Sequence, residues 1–257
     1  MLWCLLAYAA TTAAYEPGEA CRDHAGAGAT VRHVIDGDTL ILADGDHVRL
    51  LGIDTPELGR DGTAPQPGAE SARAFLYWLA GPGTRIALAD DLESRDRYRR
   101  RLAHVLLEDG TNLQERLLAG GHAVPLVFPP NVRFADCYGL ATAHALAGRL
   151  GLWALPGYQP RAARGLAASE RGYRLVTGRV TATGRSRYGL WLDVDGGLTV
   201  RVAWRNAAYF EPLQLPQLAG RRITVRGRLD ARRGRPRMTL HHPVNLLLHD
   251  GPATGLP

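Results

Sequence analysis

After Thr30 the chain alternates short apolar runs with tight-turn dipeptides. Residues 31–35, 39–42 and 48–53 are apolar-rich, and Asp36-Gly37 and Asp44-Gly45 separate them. Asp-Gly between such runs is a strong hairpin signal, so three antiparallel strands are predicted. Residues 58–68 form a Gly/Pro-rich loop. The period then changes: Ala72, Phe75, Leu76 and Leu79 fall at i, i+3, i+4 and i+7, one face of a helix over 69–80 that Gly81-Pro82 stops. Two more strands are expected over 85–89 and 102–107, flanking the charged run DDLESRDRYRRR. Asn112 and Glu115 have capping-box spacing for a helix ending at Gly120-Gly121. An alanine-rich helix is expected from about residue 132 to 150. Five short strands, with helices after the third and fifth, predict a mainly β fold with helices (α+β): an OB-type five-stranded barrel with packed helices.

Beyond residue 153 the texture differs. Residues 154–170, ALPGYQPRAARGLAASE, mix glycine, proline and small residues and are expected to be a linker. The segments RLVTGRVTATG, GLWLDVDGG, LTVRVAW, RRITVRGRL and RMTLHHPVNLLL then alternate in strand fashion between glycine turns. They predict a second small all-β domain over 171–250, again OB-like. The first domain is expected over 21–153. No convincing internal repeat links the two halves, though two OB-like halves would be a distant one.

Composition sharpens this picture in one respect. A hydrophobic content of 46% and a charged fraction of 22% in 257 residues fit folded domains and exclude wholesale disorder. The sequence has no lysine, so all 31 basic residues are arginines, whose planar forks match phosphate oxygens in pairs. Genome base composition is an equal explanation. Residues 1–170 carry 16 arginines against 20 acids, whereas residues 171–257 carry 15 against 5. A basic C-terminal part points to a polyanionic partner, the alternative being a merely solubilising surface.

The start, MLWCLLAYAATTAAYEPGEAC, resembles a secretory leader over 1–14, with small-residue cleavage sites at Ala7-Tyr8-Ala9 or Thr12-Ala13-Ala14. It lacks a basic region, and an apolar N-terminus of a cytoplasmic protein is the alternative. Export predicts a periplasmic or secreted protein. If Cys4 leaves with the leader, Cys21 and Cys137 remain as an even pair, and a disulfide between them is expected in an oxidising compartment. There is no CxxC and no zinc spacing.

Hydrolysing a phosphodiester needs a cation against the phosphate charge, a base that aims water at phosphorus, and donors for the pentacoordinate state. The predicted strand cluster offers such parts. Asp38 follows the first turn, Arg49 and Asp54 lie on the third strand, and Thr55-Pro56-Glu57 comes directly after. Two carboxylates and a backbone carbonyl make an oxygen-rich pocket suited to Ca²⁺. Arg49 and Asp54 are an odd number apart and face opposite ways in a regular strand, so Gly52 and a bend must reorient one of them.

Jointly, I-D-G-D-T, then R-L-L-G-I-D-T-P-E, then D-R-Y-x-R before a strand, and a late G-L-W resemble the thermonuclease (staphylococcal-nuclease-like) family over about residues 30–153. The resemblance implies Asp38 and Asp54 as Ca²⁺ ligands with the Thr55 carbonyl, Glu57 as the residue that orients or deprotonates water, and Arg49 as a phosphate clamp. It implies attack of water on phosphorus, departure of the 5′ oxygen, and 3′-phosphate products from DNA or RNA. The family's D-x-Y-G-R-x-L-A reads here Asp96-Arg97-Tyr98-Arg99-Arg100-Arg101-Leu102-Ala103. Alignment gives the second clamp to Arg100, while the arginine in place of glycine leaves Arg99 and Arg101 open as alternatives.

Tyr98 matches the family's tyrosine beside the terminal phosphate, with Arg97 next to it. A later stacking tyrosine is replaced by Leu126, and Phe128 keeps an aromatic two residues on. In the second domain Arg185, Arg187, Arg201, Arg205 and residues 232–237 interleave with Tyr188, Trp191, Trp204 and Tyr209, a composition suited to single-strand binding by stacking and backbone tracking. The nine histidines form no catalytic or metal pattern, His241-His242 included. The expected function is a Ca²⁺-dependent endonuclease acting on DNA or RNA, with no obligate protein partner implied. The alternative readings are a non-catalytic single-strand-binding protein and an interaction protein.

Overall fold

The computed structural model describes residues 18, 21–23, 26–59, 62–232 and 234–249. The leader-like residues 1–14 lie outside them. Five strands close the first barrel: β1 (Ala27–Val34), β2 (Thr39–Leu42), β3 (His47–Leu50), β5 (Arg85–Ala89) and β6 (Arg101–Leu107). Their order is β1-β2-β3-β6-β5, with β5 pairing back onto β1 and β3 running parallel to β6. The predicted third strand is split. β3 ends at Leu50, Gly52 takes a φ of 78°, and β4 (Ile53–Asp54) leaves the barrel to pair with β7 (Val124–Pro125). α1 (Ala69–Ala80) has the predicted bounds, and α2 (Leu113–Ala119) starts at Asn112, whose side chain accepts from the Glu115 amide. α3 (Ala135–Gly148) is shorter at both ends than the alanine-rich run. Val34, Leu40, Val48, Leu50, Leu88 and Val105 fill the barrel, and Leu76, Leu117 and Tyr138 pack the helices onto it. Cys21 and Cys137 are bonded, tying the segment before β1 to α3.

The segment expected to be a linker is folded. It carries short three-ten turns and β8 (Arg161–Ala162), which pairs with β9 (Gly172–Ser186), and Ala163 is fully buried. The second barrel comprises β9, β10 (Gly189–Val194), β11 (Leu198–Ala203), β12 (Arg222–Arg232) and β13 (Arg235–Leu240), and β14 (Leu246–Leu248) adds to β12. The ring runs β9-β10-β11-β13-β12 and closes through β12–β9, again with the third and fifth strands parallel. The strand order of the first barrel thus recurs in the second without a sequence repeat to announce it. A separate apolar cluster joins the two: Val124, Ala145, Leu152 and Trp153 from the first pack with Leu175 of the second, flanked by Tyr158 and Tyr173. Among the described residues no helix is long and apolar enough to cross a membrane.

Candidate active site

β1 leaves the barrel through residues 35–38, where the Asp36 carboxylate accepts from the Asp38 amide at 3.1 Å in an Asx turn. This turn points Asp38 beneath β4. Its Oδ2 accepts from the Thr55 amide at 3.0 Å and from the Thr55 hydroxyl at 3.2 Å, and its Oδ1 from the Thr39 hydroxyl at 3.1 Å. Arg49 Nη2 stands 3.1 Å from Asp38 Oδ2 and 3.2 Å from Asp54 Oδ1, while its Nη1 donates to the Leu50 carbonyl at 2.6 Å. The break at residues 51–52 is what brings Arg49 and Asp54 to the same side. Gly52 is required there twice over, by its positive φ and because a Cβ would meet the Tyr138 ring at 2.4 Å.

Burial pushes the Asp38 carboxyl above its ordinary value. The Arg49 charge opposes that shift and the Asp36 charge adds to it. Asp38 keeps only 6% of its residue surface exposed, which is why burial dominates.

The second guanidinium comes from the loop between β5 and β6. Asn131, buried against that loop, accepts from the Glu93 amide at 2.8 Å and donates to the Glu93 carbonyl at 2.9 Å. Asp96 Oδ1 then accepts from the amides of Tyr98 and Arg100, and its Oδ2 holds Arg100 Nε at 2.8 Å. Burial alone would raise the Asp96 pKa, but these bonds, the Arg100 side chain first, hold it below its ordinary value. Arg99 has a φ of 68°, the backbone conformation a glycine would take, so the turn forms despite the arginine. Of the three arginines left open by the sequence, Arg100 alone lines a cleft of about 250 Å³ together with Arg49, Gly52, Asp96 and Phe128. Arg101 is paired with Asp90 at 3.0 Å, and the Arg99 carbonyl accepts from Arg95.

The remaining site candidates fall at different distances from this centre. Thr55 is present through its amide and hydroxyl, which hold Asp38. Glu57 lies exposed on the following loop, anchored by its backbone to Gln66 through two hydrogen bonds. Among the described residues its carboxylate makes no ion pair with Arg49, whose partners are Asp38 and Asp54. Tyr98 is 64% exposed, with the Arg97 guanidinium 4.7 Å over its ring and that of Arg100 at 5.7 Å. Phe128 reaches the cleft, and its ring also leans on His241 of the second barrel at 4.4 Å. Among the described residues no three His, Cys, Asp or Glu side chains gather at one point. Asp38 and Asp54 each place a carboxylate oxygen within 3.2 Å of one cationic nitrogen, that of Arg49.

One participant had no signal in the sequence. Arg228 on β12, 174 residues from Asp54, donates through Nη2 to Asp54 Oδ2 at 2.8 Å. The excess of arginine in the C-terminal part hinted at a polyanion but not at this contact. Asp96 appeared in the motif only as an alignment anchor, and Asn131 not at all.

A sequence model of the family described as staphylococcal nuclease homologue matches residues 47–155. The thermonuclease of Staphylococcus intermedius is 36% identical over 126 residues, which cover 48% of this chain and 74% of that protein. The chain belongs to the staphylococcal nuclease family. The endonuclease YncB of Bacillus subtilis (strain 168) is 36% identical over 133 residues, and the SPbeta prophage-derived endonuclease YokF of the same strain is 35% identical over 133. These matches cover 50% of this chain, 63% of YncB and 45% of YokF, so only part of each relative's length is shared. The family match ends at residue 155, and the second barrel, with Arg228, lies beyond it.

Proposed function

We propose that the protein is a Ca²⁺-dependent nuclease that hydrolyses phosphodiester bonds of DNA or RNA. The observation that carries this reading is the convergence of Asp38, Arg49 and Asp54 beside a cleft that Arg100 enters from another loop. The donor set fits a hard cation: oxygen donors alone, one of them a buried carboxylate. Asp38, Asp54 and the Thr55 carbonyl would hold Ca²⁺, which when bound neutralises phosphate charge. Glu57, exposed on the loop that follows Asp54 and Thr55, would orient water and accept its proton. Arg49 and Arg100 grip the phosphate and hold the extra charge as the phosphorus becomes pentacoordinate. Water attacks phosphorus, the 5′ oxygen leaves, and a 3′-phosphate remains.

Rings on the second barrel support a grip on single strands. Arg185 lies 4.9 Å over Trp204, and Arg187 and Arg201 lie 4.6 and 5.6 Å from the Tyr188 ring. Tyr188 and Trp204 are exposed beside β10 and β11, the face through which OB barrels take oligonucleotides. Trp191 and Tyr209 do not join them, since Trp191 covers Gly184 and Tyr209 packs on the core. The bonded Cys21 and Cys137 support export to an oxidising compartment.

Incubation with denatured DNA, in Ca²⁺ or in chelator, tests the reading. Cleavage is expected only with Ca²⁺, and Glu57→Gln should lower kcat by about 10²–10⁴-fold, the usual worth of a positioned base. Cleavage that persists in chelator, or a fully active Glu57→Gln variant, rejects it.

A further inference from the structure

Asp54 is held from two sides by two barrels. Arg49 takes one carboxylate oxygen at 3.2 Å, and Arg228 of β12 takes the other at 2.8 Å. Odd positions of β12 (Ile223, Val225, Leu229) fill the second core, so Arg226 and Arg228 share its outer face. Arg226 is buried there on the Val244 carbonyl and Asn245. Arg228 stays 58% exposed, and beyond Asp54 its guanidinium makes no hydrogen bond within the described residues. Its charged form is favoured first by the Asp54 hydrogen bond, then by the Asp54 charge, and also by the nearby Glu57. The contact is not a loose one, because the apolar cluster around Trp153 and Leu175 fixes how the barrels meet.

Arg228 also lines a second cleft, of about 480 Å³, with Asp54, Thr55, Tyr158, Tyr173 and Arg174. Arg174 is tied to Glu170 and to the Tyr173 carbonyl through two of its nitrogens, whereas Arg228 bonds only Asp54 among the described residues and is the more exposed of the two. The Tyr173 hydroxyl is buried and without a hydrogen-bond partner among the described residues. Tyr158 and Tyr173 offer ring faces, with centroids 6.0 Å apart. The volume falls in the range of about 300–1,000 Å³ usual for small-molecule pockets, which suits a nucleotide. The first cleft is lined by Arg49 and Arg100 and this one by Asp54, Thr55 and Arg228, so the two share no lining residue. A polynucleotide cut in its interior must leave the scissile phosphate in two directions.

We propose that the cleft between the barrels seats the strand on the far side of the scissile phosphate from the Arg49–Arg100 cleft, with Arg228 donating to its next phosphate. This rests on the nuclease reading for the position of the scissile phosphate. The second barrel is then part of the active centre. Arg228 acts on substrate binding, in addition to steadying Asp54.

The test uses the full chain as wild type, Arg228→Ala, Arg228→Gln and Arg228→Lys, each first checked by thermal melting. Binding of a fluorescent single-stranded 20-mer is measured in chelator across salt concentrations. kcat and KM are measured with Ca²⁺ on single strands of 2 to 20 nucleotides. For Arg228→Ala, Kd and KM on the 20-mer should rise about tenfold, the worth of one charge-assisted hydrogen bond to phosphate. The logarithmic salt slope should shrink by about one phosphate contact. The wild type's gain in affinity with strand length should largely vanish, and Arg228→Lys should restore most of it. Arg228→Gln gives the same readout should the alanine variant melt early.

An Arg228→Ala variant with unchanged binding and salt slope overturns the proposal. So does one that loses kcat equally on the shortest and longest strands with KM unchanged, since Arg228 is then only a prop for Asp54. A wild type that binds the 20-mer but cuts nothing fails the nuclease reading, while the binding arm still decides whether Arg228 holds a strand.

Discussion

Gly52 and Arg99 are the two positions where backbone conformation decides which side chains meet. An alanine at Gly52 must adopt a φ near 78° and push into the Tyr138 ring, which is itself fully buried beneath the barrel. Gly52→Ala is expected to cost about 2–4 kcal/mol in denaturant unfolding, from strain and overpacking together. It should also depress kcat more than any surface change does, because the bend it stiffens is what carries Asp54 to Arg49. Arg99 presents the opposite case, a bulky residue in a conformation glycine takes at no cost. Arg99→Gly should therefore raise stability by roughly 1 kcal/mol with activity retained. Arg100→Ala next door should lower kcat by about 10²–10³-fold. The pair of variants separates the residue that shapes the turn from the one proposed to grip the phosphate. The spacing of Arg49 and Asp54 made the need for a bend legible, and the glycine between them named its place. The location of Arg228 was not legible, because no periodicity connects one strand of one barrel with a carboxylate of another.

At the scale of elements, α1 and the Asp-Gly hairpins followed directly from local pattern, because hydrophobic period and turn chemistry agree there. The third strand did not, since β4 is only two residues long and is held by β7 rather than by its own sequence. Between α3 and β6 sits a buried polar pair. His104 Nδ1 lies 2.6 Å from the Tyr138 hydroxyl, and its Nε2 lies 3.4 Å from Asp91. Burial lowers the pKa of His104 below its model-peptide 6.5, with Asp91 opposing the shift. The folded state therefore holds this proton less tightly than the unfolded chain does. Stability must fall as pH drops below about 6.5 and go on falling until the folded value is reached. His122, His241 and His242 are shifted the same way by burial and add to the slope. Stability of a His104→Gln variant measured between pH 7 and 5 should be less steep, by at most one proton's worth, about 1.4 kcal/mol per pH unit. An unchanged slope assigns the acid sensitivity to the other three.

For the molecule as a whole, two barrels of one strand order share an apolar joint, and this changes what the second is expected to do. Read as sequence, residues 154–170 are expected to be a linker. In the fold Trp153 is buried against Tyr158 and Tyr173, and Leu175 completes its cluster. A chain ending at residue 153 should melt well below the full protein and expose enough apolar surface to bind a hydrophobic dye. Equal melting temperatures would mean that the joint contributes little. The second barrel's overall architecture was legible from strand alternation and glycine turns. That it is OB-like, as the first is, was legible too; the pairing of β9 with β12 that closes it was not, because those strands are distant in sequence.

The bond between Cys21 and Cys137 spans 116 residues and encloses every strand of the first barrel. A protease that nicks the backbone anywhere between those two positions therefore makes two pieces that remain covalently attached. Such a clipped molecule should migrate near full size on a non-reducing gel and fall apart only when a thiol is added. That tether keeps the two sides of a cut together after the chain itself has been severed.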